Sequence, residues 1–192
     1  KHFKLCYSII KTNKKIMKIL IYFPVVFTFH TVVYFYGQKY FSILGCNKIE
    51  ISLIMLLGGI TSCIGAVSCE KVISIFKDKT KYIASILMGI SIVFISGKSL
   101  VISIIFFAVM NYVNSLLYPI QSTSLNKLIP SEQRATIISI DSMIFSLCMI
   151  CMFPLCGLIA DKFNLHVTFF ALGIVQILLI LLLVNKKRSK NI

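Results

Sequence analysis

The sequence predicts an all-α membrane protein of six transmembrane helices, and three observations carry that expectation. Hydrophobic residues make up 58% of the 192-residue chain and charged residues only 14%, against about a quarter in a soluble domain. The apolar residues gather into six runs, each near the roughly 20 residues needed to cross a bilayer core, and the mean hydropathy is +0.92. Lys and Arg fall in short clusters between the runs. A water-soluble globular fold is excluded on these grounds. Unpaired backbone polar groups are costly in hydrocarbon, so runs of this length are helices rather than open strands.

The runs cover residues 19–36, 51–68, 82–96, 100–120, 135–160 and 167–184. The first follows a basic stretch, as a signal peptide would, but its apolar part is too long and no small-residue cleavage site follows. It carries Phe23, Phe27, His30 and Tyr34 at spacings of four, three and four, which places them on one helix face. The second is rich in small residues, Gly58, Gly59, Ser62, Gly65 and Ala66, which let another backbone approach closely. Residues 83–95 of the third and 167–184 of the sixth are apolar nearly all round, as in helices that face lipid. The fourth sets Asn111, Asn114, Tyr118 and Gln121 on one face, with Pro119 loosening the helix near its end. In the fifth, Asp141 begins a stripe continued by Phe145, Cys148 and Met152. The order lined, packed, lipid-facing, then lined, lined, lipid-facing points to a three-plus-three repeat.

The formal charge of +14 rests on 20 Lys and Arg. In a soluble protein it would suggest nucleic acid, but here the placement decides otherwise. Sixteen of those cations fall before the first span, in the alternate loops and after the sixth; only Lys39, Lys48, Lys98 and Lys162 occupy the other loops. By the positive-inside rule both termini face the cytoplasm, and the expected location is the cell membrane, with the lipid bilayer as partner. Residues 1–18 read as a basic interfacial arm or linker, 19–184 as the bundle, and 185–192 as a basic tail.

Chemistry-bearing residues are few. Asp141 is the only acid well inside a span, and an ionised carboxylate there costs several kcal/mol unless paired or wetted. It reads as a proton-coupling or cation-coupling group facing a water-filled cavity, or as a carboxyl hydrogen-bonded for packing. His30 lies near mid-membrane, suited to proton relay, to solute contact or to joining helices. The cavity-lining candidates are Phe27, His30, Tyr34, Asn111, Asn114, Tyr118, Gln121 and Phe145; helix joining by side-chain hydrogen bonds is the alternative. Seven cysteines occur, mostly inside apolar runs, where they pack as small hydrophobes. Cys148 and Cys151 lack further ligands at zinc-binding spacing. No phosphate-binding loop, metalloprotease signature or nucleophile elbow is present, so neither an enzyme nor a cofactor is expected.

The fourth-to-fifth connection reads Asn126-Lys127-Leu128-Ile129-Pro130-Ser131-Glu132-Gln133-Arg134-Ala135-Thr136-Ile137-Ile138-Ser139, and the fifth span ends Pro154-Leu155-Cys156-Gly157-Leu158-Ile159-Ala160-Asp161-Lys162-Phe163. Pro130 suits a helix stop, Ser131 a cap with Glu132 in the first turn, and Arg134 an interfacial phosphate or carboxylate. These stretches resemble the second six-helix half of bacterial major facilitator superfamily transporters. The resemblance implies alternating access, a small-molecule substrate at the interface of two six-helix halves, and a first half preceding Lys1. It places the first, second, fourth and fifth spans around the cavity and gives Pro130 and Arg134 a role in the cytoplasmic gate. The family's other basic gate loop survives only as Gly65, Glu70 and Lys71. The similarity leans toward proton-coupled export of small hydrophobic compounds. A non-transporting membrane scaffold or half-transporter remnant is the alternative.

Overall fold

The computed structural model describes residues 13–188. Its elements are α1 (Lys14–Ile43), α2 (Lys48–Phe76), α3 (Thr80–Ile95), α4 (Leu100–Asn126), α5 (Arg134–Lys162) and α6 (Leu165–Arg188), with 3-10 turns at Lys77–Lys79 and Ser131–Gln133. Most of the basic arm, residues 1–12, and the final four residues of the tail lie outside the described part. Five helices are long and apolar enough to cross a membrane. The sixth, α3, has 16 residues, about 24 Å at 1.5 Å per residue, somewhat less than the roughly 30 Å core. Several helices overrun their apolar runs, since lysines and hydroxyls continue a helix without adding hydropathy.

The two ends of the bundle are connected differently. Between α1 and α2 the chain turns at Gly45, whose φ of 97° suits glycine, and the Cys46 amide donates back to the Phe41 carbonyl at 3.0 Å. Asn47 then caps α2 in a capping box: its side chain accepts from the amides of Ile49 and Glu50, and the Glu50 carboxylate accepts from the Asn47 amide at 2.8 Å. At the same end Asn164 accepts from the Val167 amide at 3.0 Å and begins α6. At the other end, both 3-10 turns lack a side-chain cap. The cap expected of Ser131 does not form, because the Gln133 amide that it would hold already donates to the Pro130 carbonyl at 3.1 Å.

Helix pairing follows the small residues. Gly58, Ser62, Gly65 and Cys69, at spacings of four, three and four, lay α2 along α4. The Ser62 hydroxyl donates to the Asn111 carbonyl at 3.4 Å, and the Cys69 thiol points at the Leu116 carbonyl at 3.5 Å. A Cβ on Gly65 would run into the Tyr112 carbonyl oxygen. Helices α3 and α6 cross at Gly89 and Gly173: a Cβ on Gly173 would lie 2.8 Å from the Gly89 oxygen, and one on Gly89 would lie 3.3 Å from the Gly173 oxygen. The principal pairs are α2 with α4, α1 with α5, α3 with α4 and α3 with α6. Exchanging α1, α2, α3 for α4, α5, α6 maps the first pair onto the second and the last onto itself, as in a three-plus-three repeat, whereas the extensive α3–α4 pair maps onto the lightly packed α1–α6 pair.

The core is aromatic and aliphatic, with Phe23, Phe41, Met88, Phe107 and Phe169 fully enclosed. A smaller cluster of Ile16, Leu20, Leu125, Ile129 and Ile137 ties the ends of α1, α4 and α5. One expectation is corrected. The third and sixth spans do not simply face lipid: Ser85 and Ser91 of α3 and Gln176 of α6 are buried. The Gln176 amide donates to the Ser85 carbonyl at 3.0 Å, and the Tyr22 hydroxyl of α1 lies 2.8 Å from the Ser85 hydroxyl. Overall apolarity does not reveal which face carries the few polar groups, and these helices turn theirs inward. Tyr22→Phe is expected to cost about 1 kcal/mol and to lower the thermal midpoint in detergent by roughly 2–4 °C.

Candidate functional site

The striped faces of α1 and α4 meet at two pairs, Phe27 with Tyr118 and His30 with Asn111. Phe27 stacks on Tyr118 with ring centroids 4.3 Å apart and planes 12° apart. The His30 Nε2 lies 3.2 Å from the Asn111 Oδ1, while the Asn111 amide nitrogen donates to the Phe107 carbonyl at 2.8 Å. Tyr34 stacks on Phe107 at 5.9 Å. Three successive members of the α1 stripe, Phe27, His30 and Tyr34, thus each find a partner on α4, at Tyr118, Asn111 and Phe107. Phe27, His30, Asn111, Asn114 and Gln121 are buried. Asn114, one turn beyond Asn111, keeps its Oδ1 buried without a hydrogen-bond partner, and a buried unsatisfied acceptor costs about 1–3 kcal/mol.

Across the open side of this seam stands α5. Asp141, about 10 Å along it from Arg134, accepts from the Gln121 amide nitrogen with both carboxylate oxygens, at 2.9 and 2.8 Å. Helices α4 and α5 otherwise pack little against each other, so this bridge and the small cluster beneath it join them at that level. Tyr118 is 52% exposed at the seam's edge, and Phe145, one turn above Asp141, is half-buried against the main core. Pro130 and Arg134 are exposed at the α4–α5 connection. Among the described residues, no group of three or more His, Cys, Asp and Glu is placed to hold a metal ion.

Several contributors escape the sequence patterns. Phe107 extends the α4 face by one turn from Asn111 and was visible at that spacing. Tyr36 donates to the Phe153 carbonyl at 3.1 Å and lies against Gly157, where a Cβ would come within 2.8 Å of its hydroxyl. That contact explains the glycine in the Pro154-to-Gly157 stretch. At the outer edge, the Tyr40 hydroxyl donates to the Gly97 carbonyl at 2.5 Å and lies 2.9 Å from His166 Nδ1, which also approaches the Ser96 carbonyl at 2.9 Å. No spacing rule brings those three segments together.

Five helices long and apolar enough to span, a sixth shorter apolar helix and a seam of aromatic and amide side chains describe a multi-pass membrane protein. The chain belongs to the major facilitator superfamily, whose family model matches residues 19–191. No curated protein and no solved structure gives a significant match.

Proposed function

We propose that the chain forms the C-terminal six-helix half of a secondary transporter, which moves a small solute by alternating access coupled to protons at Asp141. The observation that carries this reading is the Asp141 carboxylate, held by the neutral Gln121 amide at 2.8 and 2.9 Å and lying within a membrane-spanning helix. Charge at such depth is costly, and no cation among the described residues lies within ion-pairing distance of it. Binding a proton removes the charge and weakens a charge-assisted hydrogen bond. The main polar tie of the α4–α5 seam is then weakened, which gives the two helices two arrangements of differing stability to alternate between.

The solute would meet Phe27, His30, Tyr34, Asn111, Asn114, Tyr118 and Phe145, with α1, α2, α4 and α5 bordering the cavity and a preceding six-helix half closing it. Their aromatic character supports small hydrophobic compounds and export over uptake of a nutrient. The lysine and arginine asymmetry supports cytoplasmic termini in the cell membrane, which puts Pro130 and Arg134 at the inner gate. The mutual pairing of the α1 and α4 stripes favours a second reading, a scaffold in which these residues only join helices. Proteoliposomes of the full gene product with an internal pH dye separate the two. Ethidium or another hydrophobic compound from a panel is expected to drive proton movement; silence across hydrophobic compounds and nutrients alike would leave the scaffold.

A further inference from the structure

We propose that the cleft of about 620 Å3 between the ends of α2, α3 and α4 is a binding site for one anionic phospholipid, independent of what the protein transports. Two helices running in the same direction line it, and both change from apolar to basic toward the same end. On α2 the wall passes from Ala66 and Val67 through Ile73 to Lys77; on α4 it passes from Pro119 and Ile120 through Thr123 and Ser124 to Lys127. The first turn of α3, with Thr80 and Lys81, closes the basic end and adds the positive pole of a helix dipole. That sequence of surfaces is the sequence of a phospholipid: an acyl chain against the deeper apolar wall, ester groups at the hydroxyls, and phosphate at the exposed ammonium groups of Lys77 and Lys127.

Glu70 is the one acid among the lining residues. It sits seven residues before Lys77, roughly 10 Å deeper, away from the level of the phosphate. A protein helix filling the cleft would have to bring its own acid to the same end, whereas an anionic lipid carries tail and charge in the required order. Basic pockets between transmembrane helices suit anionic headgroups for this reason.

The chain has no Trp, which makes a single reporter possible. Val67 lines the cleft and is 85% exposed, so Val67→Trp places a fluorophore beside the proposed acyl chain, with Ile73→Trp as a second position. The full chain would be reconstituted in phosphatidylcholine containing dibrominated phosphatidylglycerol or, separately, dibrominated phosphatidylcholine. Quenching should report a relative association constant for phosphatidylglycerol roughly five- to thirtyfold above phosphatidylcholine, as one to two nearby lysines at about 1 kcal/mol each provide. The preference should fall to near unity with Lys77→Asn and Lys127→Gln, where Asn suits the positive φ of 49° at position 77. It should be absent at Leu182→Trp on the exposed face of α6. Equal quenching by both lipids, no quenching by either because protein covers the cleft, or a preference that survives the lysine replacements would overturn the proposal. Loss of the preference on adding millimolar inorganic phosphate would also overturn it, assigning the lysines to free phosphate instead.

Discussion

Asp141→Asn in the full transporter is expected to abolish proton-driven flux while leaving insertion and folding intact. The replacement keeps the shape of the side chain and an oxygen that accepts from Gln121, whose nitrogen lies 2.8 and 2.9 Å from the native carboxylate. It removes the one property the proposal needs, exchange of a proton. Gradient-driven transport should therefore fall to the level seen without a pH gradient. Solute exchange without a pH gradient should persist. The check is flux into proteoliposomes with and without an imposed pH difference, alongside thermal unfolding of the same preparation. Undiminished gradient-driven flux would remove Asp141 from coupling and return it to a packing role.

Gly65→Ala should produce a large loss of stability from the addition of a single methyl group. The new Cβ would collide with the Tyr112 carbonyl, a backbone atom within α4 that cannot swing aside, so α2 and α4 must separate along their shared face. Overpacking of this kind costs about 1–3 kcal/mol, or roughly 2–12 °C in a chain of this size. Gly59→Ala, six residues earlier, is the control: nothing lies within 4 Å of its added Cβ, and alanine's better helix propensity should stabilise by up to about 1 kcal/mol. A thiol-reactive dye follows both, because Cys46, Cys69 and Cys156 are buried and free and become reactive on unfolding. Equal midpoints for the two variants would mean that α2 and α4 are not packed as described.

These two glycines mark how far the sequence can be read. Helix count, order and approximate limits follow from hydropathy, because a membrane helix must announce itself with a long apolar run. The small-residue face of α2 was legible as a place for close approach, though not the identity of α4 as its partner. Periodicity also located the stripes on α1 and α4; that they pair with each other, Phe27 on Tyr118 and His30 on Asn111, depends on rotation of both helices and is invisible in either alone. The inward serines of α3 went unread because two hydroxyls among so many Ile, Leu and Phe hardly alter an average. Asp141 stood out by its rarity, whereas its contact with Gln121 joins residues 20 positions apart on helices that otherwise barely touch.

The unlike connections at the two ends of the bundle carry a mechanical consequence. Where Gly45, Asn47 and Asn164 seal the helix ends, and where Tyr40 and His166 lash α1, α3 and α6 together, any bending must break several hydrogen bonds at once. The Lys77–Lys79 and Ser131–Gln133 turns have no side-chain N-cap; at this end the Thr80 hydroxyl donates to the Lys77 carbonyl at 2.7 Å and Asn13 caps α1, and short 3-10 stretches often mark hinges. Compliance is therefore concentrated at one pole. A rocking bundle built this way is a stiff cap over a flexible base, and the basic pole is where its shape changes at least cost.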